Sequence, residues 1–370
     1  MWPDRRLLDL LKIEHPIVQA PMAGVMDFEL VAAVSEAGGL GSLPCAMLSA
    51  DKVRDEARKI RQRTTKPFAM NSFCHTPPVL NNAREAAWRE RLAPYYEEFA
   101  VDPAAPAPSS NRLPFDATLR DVVLEVRPAV VSFHFGLPAP ALYEPLKREG
   151  IVILSSATTV EEARWLAARG VDAIIAQGVE AGGHRGMFLA DDIATQVGTM
   201  ALVPQVADAV DVPVIAAGGI ADARGIAAAF ALGASGVQIG SAYLLTPEAK
   251  PPPAHRASLR SVRDDGTVLT NVMTGRPARG VLLRVVREVG PMSELAPEFP
   301  LAGGALSSLR AAAEKQGCGD FTTQWSGQAV RLGREMGAAE LTRTLAAEAL
   351  QRMQGLDRAA GVAASNAALL

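Results

Sequence analysis

The chain has 370 residues, 49% hydrophobic and 21% charged, the balance of a globular enzyme, and exceeds the roughly 250 residues of one eight-stranded α/β barrel. Its formal net charge of −3 excludes the basic footprint of a nucleic-acid binder, and no apolar run reaches the roughly eighteen residues of a membrane span. Cys45, Cys74 and Cys318 form neither a CxxC nor a metal-ligand spacing, and no signal-peptide run follows Met1–Arg6, so a cytoplasmic protein without a metal site is expected.

From Pro16 to about Leu245 one unit recurs: a short apolar run, small or polar residues, then an Ala-rich amphipathic stretch. Pro16–Gln19 is the first predicted strand, followed by a helix over Phe28–Ala37 and the C-capping pair Gly38-Gly39. Leu40–Leu43 and Pro67–Asn71 are the second and third strands, with a charged helix over Asp51–Arg63 between them. Ala129–Phe133 is the fourth and Val152–Ser155 the fifth, with helices over Ala139–Arg148 and Val160–Arg169. Ala173–Ala176, Val214–Ala217 and Ala234–Ile239 complete eight.

Apolar strands alternating with helices indicate parallel βαβ units buried on both faces. Eight such units, with no GxGxxG after the first strand, favour a closed (β/α)8 TIM barrel over a doubly wound sheet. The expected organisation is a barrel over residues 1–248 with an insertion after strand three at about 76–119. The middle of that insertion, Asp102–Ser110, is Pro-rich and reads as loop. Residues 249–370 read as a mainly helical cap, with helical periodicity over Leu301–Gln316 and Ala338–Met353 and frayed ends from Ala359.

Barrel enzymes place their chemistry at the C-terminal ends of the strands. There stand Gly218-Gly219 after strand seven and Gly240-Ser241 after strand eight. Adjacent glycines let backbone N–H groups approach a phosphate, and these two loops are the usual phosphate site of the fold. Asp222 reads as a helix N-cap. Without a metal cluster nearby, the phosphate is expected to belong to a cofactor. After strand six, His184 is framed by glycines in Gln177–Gly186, where an imidazole can take a proton or bind a developing anion. Glu180 reads equally as an assisting carboxylate, an N-cap or a partner of Arg185. His134 and His75 follow strands four and three and are candidate pocket residues; His15 reads as structural and His255 carries no signal.

The segments Gln19–Gly24, Ser132–Pro138, Gln177–Gly186, Ala216–Ala221, Gly236–Ser241 and Thr274–Gly280 together resemble the nitronate monooxygenases, formerly called 2-nitropropane dioxygenases, over nearly the full length. The resemblance implies a flavoprotein oxidoreductase with FMN in the barrel mouth. It implies oxidation of alkyl nitronates, or of nitroalkanes, by O2 to a carbonyl compound and nitrite. Ala20, Pro21, Met22 and Asn71 are then expected against the isoalloxazine ring, with Gln177, Gly182 and Gly183 also lining the flavin site. Gly218, Gly219, Gln238, Gly240 and Ser241 are expected at the ribityl and phosphate groups, and His184 matches the family's active-site histidine. Departures fall at Val25-Met26-Asp27, Cys74–Pro78 and Ser241.

The competing readings are a flavin-dependent NAD(P)H oxidoreductase, such as an enoyl-ACP reductase or a quinone reductase, and a non-catalytic flavin-binding barrel. The expected partners are small molecules, with no nucleic acid or membrane, and the chain is expected as a monomer or homodimer.

Overall fold

The computed structural model describes the backbone of residues 1–105 and 112–367, and side chains as far as 356. Eight parallel strands form one sheet: β1 Ile17–Gln19, β2 Gly41–Pro44, β3 Phe68–Phe73, β4 Val130–His134, β5 Val152–Ala157, β6 Ala173–Gln177, β7 Val214–Ala217 and β8 Gly236–Ile239. The sheet runs β1-β8-β7-β6-β5-β4-β3-β2. It closes where Gln19 N–H donates to Leu40 O and Leu40 N–H to Ile17 O, both at 2.9 Å. This is the expected TIM barrel, with every strand inside the predicted run or within two residues of it. Strand residues such as Ile17, Phe68, Ile153, Ile174 and Val237 are fully buried, because a parallel sheet wrapped by helices has no solvent face. The helices start where a side chain can satisfy free N–H groups: Asp27, Ser49, Thr159 and Asp222 each cap one.

The insertion after β3 carries a helix, Asn82–Glu98, that the sequence reading did not place. Its signal was present, since the buried Trp88, Leu92, Tyr95, Tyr96 and Phe99 recur at helical spacing; Pro94 in the same stretch disguised it. Of the Pro-rich segment expected as loop, Asp102–Ala105 is irregular and the rest lies outside the described residues.

The tail divides in two. Helix Ala302–Lys315 packs on helix Asn82–Glu98, and their facing side chains form a second hydrophobic core with Val272, Val285, Val286 and Phe321. Helix Ala338–Ala367 instead packs against helices Phe28–Glu36 and Ala223–Ala231, with Leu341, Leu345, Ala346 and Ala349 in the barrel's own core. It therefore occupies the eighth helix position of the barrel, and the chain after β8 makes a long excursion before supplying it. From this packing we propose a division other than 1–248 and 249–370: a barrel that includes the last helix, and a cap built jointly by the β3 insertion and the excursion. Among the described residues, no helix is long and apolar enough to cross a membrane.

Candidate active site

A cavity of about 490 Å³ lies between the strand C-termini and the cap, within the range of ligand sites. All eight strands or the turns after them contribute, including Ala20, Pro44, Asn71, His134, Ser156, Gln177, Ala217 and Gln238. The twelve residues expected at a cofactor, Ala20, Pro21, Met22, Asn71, Gln177, Gly182, Gly183, Gly218, Gly219, Gln238, Gly240 and Ser241, all stand on its wall, together with His184 and His134. His75 does not. It is buried one layer behind, its ring 4.8 Å from that of Phe299 and 6.2 Å from that of Phe135.

At one end, Gly218 and Gly219 have φ of +115° and +68°, a left-handed path that side chains resist. The N–H groups of Gly219, Gly240 and Ser241 find no protein acceptor among the described residues. Ser241 Oγ accepts from Gly327 N–H at 2.8 Å, which leaves its own proton to donate outward. Unclaimed donors converging on one end of a cavity suit a phosphate, and among the described residues no group of His, Cys, Asp or Glu could hold a metal. Glu180 is not itself an N-cap residue: from a separate loop its carboxylate accepts from the first residue of the helix Thr199–Ala209, Thr199 N–H at 2.9 Å and Oγ1 at 2.7 Å, while Gly198 holds the N-cap position. Further in, Asn71 commits its amide N–H to Ser132, at 2.9 Å to Oγ, and offers its carbonyl oxygen as an acceptor.

The histidine segment is more ordered than a loop. Gly183-His184 pairs as a short strand with Ala278–Val281, which pairs in turn with Thr267–Thr270. Gly182 packs so close to the cap that a Cβ would stand 2.5 Å from Gly327 N. His184 O accepts from Gln177 Nε2 at 3.0 Å and from His134 Nε2 at 3.1 Å. A carbonyl only accepts, so His134 carries its proton on Nε2 while Nδ1, 2.6 Å away, takes one from Ser156 Oγ. The His184 ring meets Thr274 Oγ1 through Nε2 at 2.9 Å and is surrounded by Phe73, Phe135, Phe299 and Trp325, with ring centroids 5.1–6.2 Å away.

His184 is part-buried on the cavity wall, and desolvation holds its pKa well below the ordinary 6.5. Arg112, His134, Arg276 and His75 push in the same direction. Burial likewise brings His134 and His75 down to about 4. The imidazole is therefore neutral at pH 7 in surroundings of positive potential, suited to meeting an anion or accepting a carbon-bound proton.

The cap supplies wall residues that sequence reasoning passed over: Arg112, His255, Arg310, Glu314, Thr323 and Trp325. His255 is buried, and its Nε2 donates to Trp325 O at 2.9 Å. Thr274 lies ninety residues from His184 in sequence. No local pattern marks such partners; only the Thr274–Gly280 motif hinted at one.

Residues 4–348 match the family model described as nitronate monooxygenase. The chain belongs to the nitronate monooxygenase family. It is 46% identical over 347 residues to a nitronate monooxygenase of Pseudomonas aeruginosa, covering 93% of this chain and 98% of that protein. With a nitronate monooxygenase of Paraburkholderia phytofirmans it shares 43% identity over 354 residues, covering 95% and 97%. The solved structure of a nitroalkane oxidase from Streptomyces ansochromogenes superposes with a TM-score of 0.86 at 39% identity, over 95% of this chain and 99% of that one. FabK from Thermotoga maritima superposes less well, at 0.72 and 30% identity, with 95% and 98% covered. The protein is thus an oxidoreductase of a flavin-dependent family.

Proposed function

We propose that this chain oxidises alkyl nitronates with FMN and O2, yielding a carbonyl compound and nitrite. The observation that carries the reading is the neutral His184, enclosed by aromatic rings with Arg112 and Arg276 acting on it from nearby. Such a site favours a small anion with an apolar body, which describes an alkyl nitronate. The cavity fits FMN in its donor set: free backbone N–H groups and the Ser241 hydroxyl at one end for a phosphate, and the apolar residues Ala20, Pro21 and Met22 for a ring system. FMN bound there supplies one-electron oxidation of the nitronate and passes electrons to O2.

The chain's own groups do the rest. His184 holds a nitronate by a hydrogen bond, or, for a neutral nitroalkane, takes the α-proton. Thr274 Oγ1 fixes the imidazole, and Gln177 and His134 fix its backbone. The aromatic residues and the cap keep bulk water from the reacting carbon. We place the protein in the cytoplasm, as a monomer or homodimer; three cysteines free of disulfides support that compartment.

The test is a pair of anaerobic titrations of the purified protein, one with propionate 3-nitronate and one with NADH or NADPH, with the released flavin identified by chromatography. Bleaching by the nitronate alone, with nitrite formed on admitting O2, is the expected result. Bleaching by a nicotinamide alone overturns it.

A further inference from the structure

The reaction leaves three arginines without a task, Arg185 and Arg279 buried and Arg276 half-buried. Arg185 is fully buried. It donates to the carbonyls of Gly178 at 2.6 Å and Gln177 at 2.7 Å, and through Nε to the side-chain oxygen of Gln196 at 2.9 Å. Arg276 donates to the Met187 carbonyl, stands 4.1 Å over the Phe135 ring and keeps an unpartnered buried Nε. Arg279 donates to the carbonyls of Val179 at 2.9 Å and Thr267 at 3.3 Å. Among the described residues none of the three forms a salt bridge. Glu180 and Glu162 act on Arg185 only from further off.

Burying a cation without a carboxylate costs several kcal/mol, and carbonyl dipoles recover only part of that. All three acceptors of Arg185 are neutral oxygens, so none of its hydrogen bonds neutralises its charge. That charge lies directly behind the cavity wall, because the carbonyl it holds on Gln177 belongs to a wall residue and its chain neighbour is His184. Arg185 is absent from the wall itself. One layer of backbone screens it far less than bulk water would.

We infer that Arg185 is a fixed buried cation that stabilises negative charge in the cavity, raising the electron affinity of a bound flavin and strengthening anion binding beside it. The inference rests on the flavin reading of the cavity. Arg276 and Arg279 add to the same field, but Arg276 also stacks and Arg279 anchors the small sheet, so Arg185 is the clean probe.

The experiment compares the flavin-loaded wild type with Arg185→Gln and Arg185→Lys by flavin content, thermal midpoint, reduction potential from dye-coupled titration, and the dissociation constant of sulfite. Arg185→Gln is expected to show a lower potential and about tenfold weaker sulfite binding, the size of one charge acting through low-dielectric protein. Arg185→Lys, which keeps the charge and loses the forked geometry, is expected within about twofold of wild type at pH 6. Its sulfite affinity should then fall away from wild type as pH rises and the buried amine loses its proton.

Wild-type potential and sulfite affinity in flavin-loaded Arg185→Gln overturn the inference. So do equal losses in both variants, which would assign the effect to geometry. Should Arg185→Gln not fold, the pH divergence of Arg185→Lys decides alone. A wild-type protein that carries no flavin and takes none up would instead remove the cofactor reading.

Discussion

His184 joins three properties that an isolated histidine never has together: a covered, aromatic setting, a hydrogen bond between ring and Thr274 Oγ1 that orients it, and the nearby charges of Arg112 and Arg276. His184→Asn keeps a hydrogen-bonding side chain of similar reach but has no basic nitrogen. It is expected to retain flavin and to lose turnover of neutral nitroalkanes by about 10²- to 10⁴-fold, the usual contribution of a positioned base. Turnover of preformed nitronates should fall far less. Equal loss on both substrates would give His184 a binding role only. Since burial holds the imidazole neutral, the acid limb of kcat/KM for nitroalkanes should lie well below pH 6.5. A limb at the ordinary value would mean that water reaches the ring.

Much of this residue was legible from sequence, because glycines on both sides of a histidine after a barrel strand leave it little structural use. Its setting was not. Thr274, Phe299 and Trp325 come from the excursion after β8, and a contact across that distance leaves no period in the chain. His75 failed in the opposite way: its position after β3 pointed to the cavity, but Phe299 and Phe135 draw it into an aromatic layer behind the wall.

At the scale of elements, the strands were readable because burial on both faces makes each one an apolar run between turn residues. The last helix was readable as a helix and misleading as to place. Nothing in its amphipathic pattern says which of two cores it joins, and adjacency in sequence suggested the cap. Its buried face supports the proposed place in the barrel, with Leu341 and Leu345 fully enclosed, Thr342 Oγ1 bonded to Tyr243 Oη at 2.8 Å, and its first N–H held by Glu248.

Truncation before Ala338 should therefore unfold the barrel rather than merely uncover the site. Each buried leucine contributes about 1.5–3 kcal/mol, so the lost face is comparable with the whole stability of about 5–15 kcal/mol. A truncated protein that still melts cooperatively and holds flavin would return this helix to the cap.

The turn after β7 can be tested by charge. Gly218→Ala and Gly218→Asp share the strain of φ +115° and the approach of a Cβ to 2.8 Å from Thr199 Oγ1. Only the second adds a negative charge to the turn that carries the unclaimed Gly219 N–H. Flavin retention should be weaker in Gly218→Asp than in Gly218→Ala by about tenfold or more. Equal retention would move the phosphate elsewhere.

For the whole molecule, the five histidines make one collective statement, because the pKa of each is lowered. Burial is the first cause for His15, His75, His134, His184 and His255 alike. Above about pH 6.5 both folded and unfolded chains hold them neutral, so they leave stability unchanged. Below it the unfolded chain gains protons that the folded chain refuses, and stability falls with pH until the folded values are reached, near 4 for His75 and His134.

For His134 alone the loss between pH 6.5 and 5 is about 2 kcal/mol. This window lies above the titration of ordinary carboxylates, which separates the effect from general acid denaturation. Urea melts at pH 7.5, 6.5, 5.5 and 5 should show a flat upper range followed by a steep decline. In His134→Gln the decline should be shallower by about one proton's slope. A wild-type midpoint unchanged down to pH 5 would mean that these rings protonate in place, and hence that water enters the cavity beneath the cap.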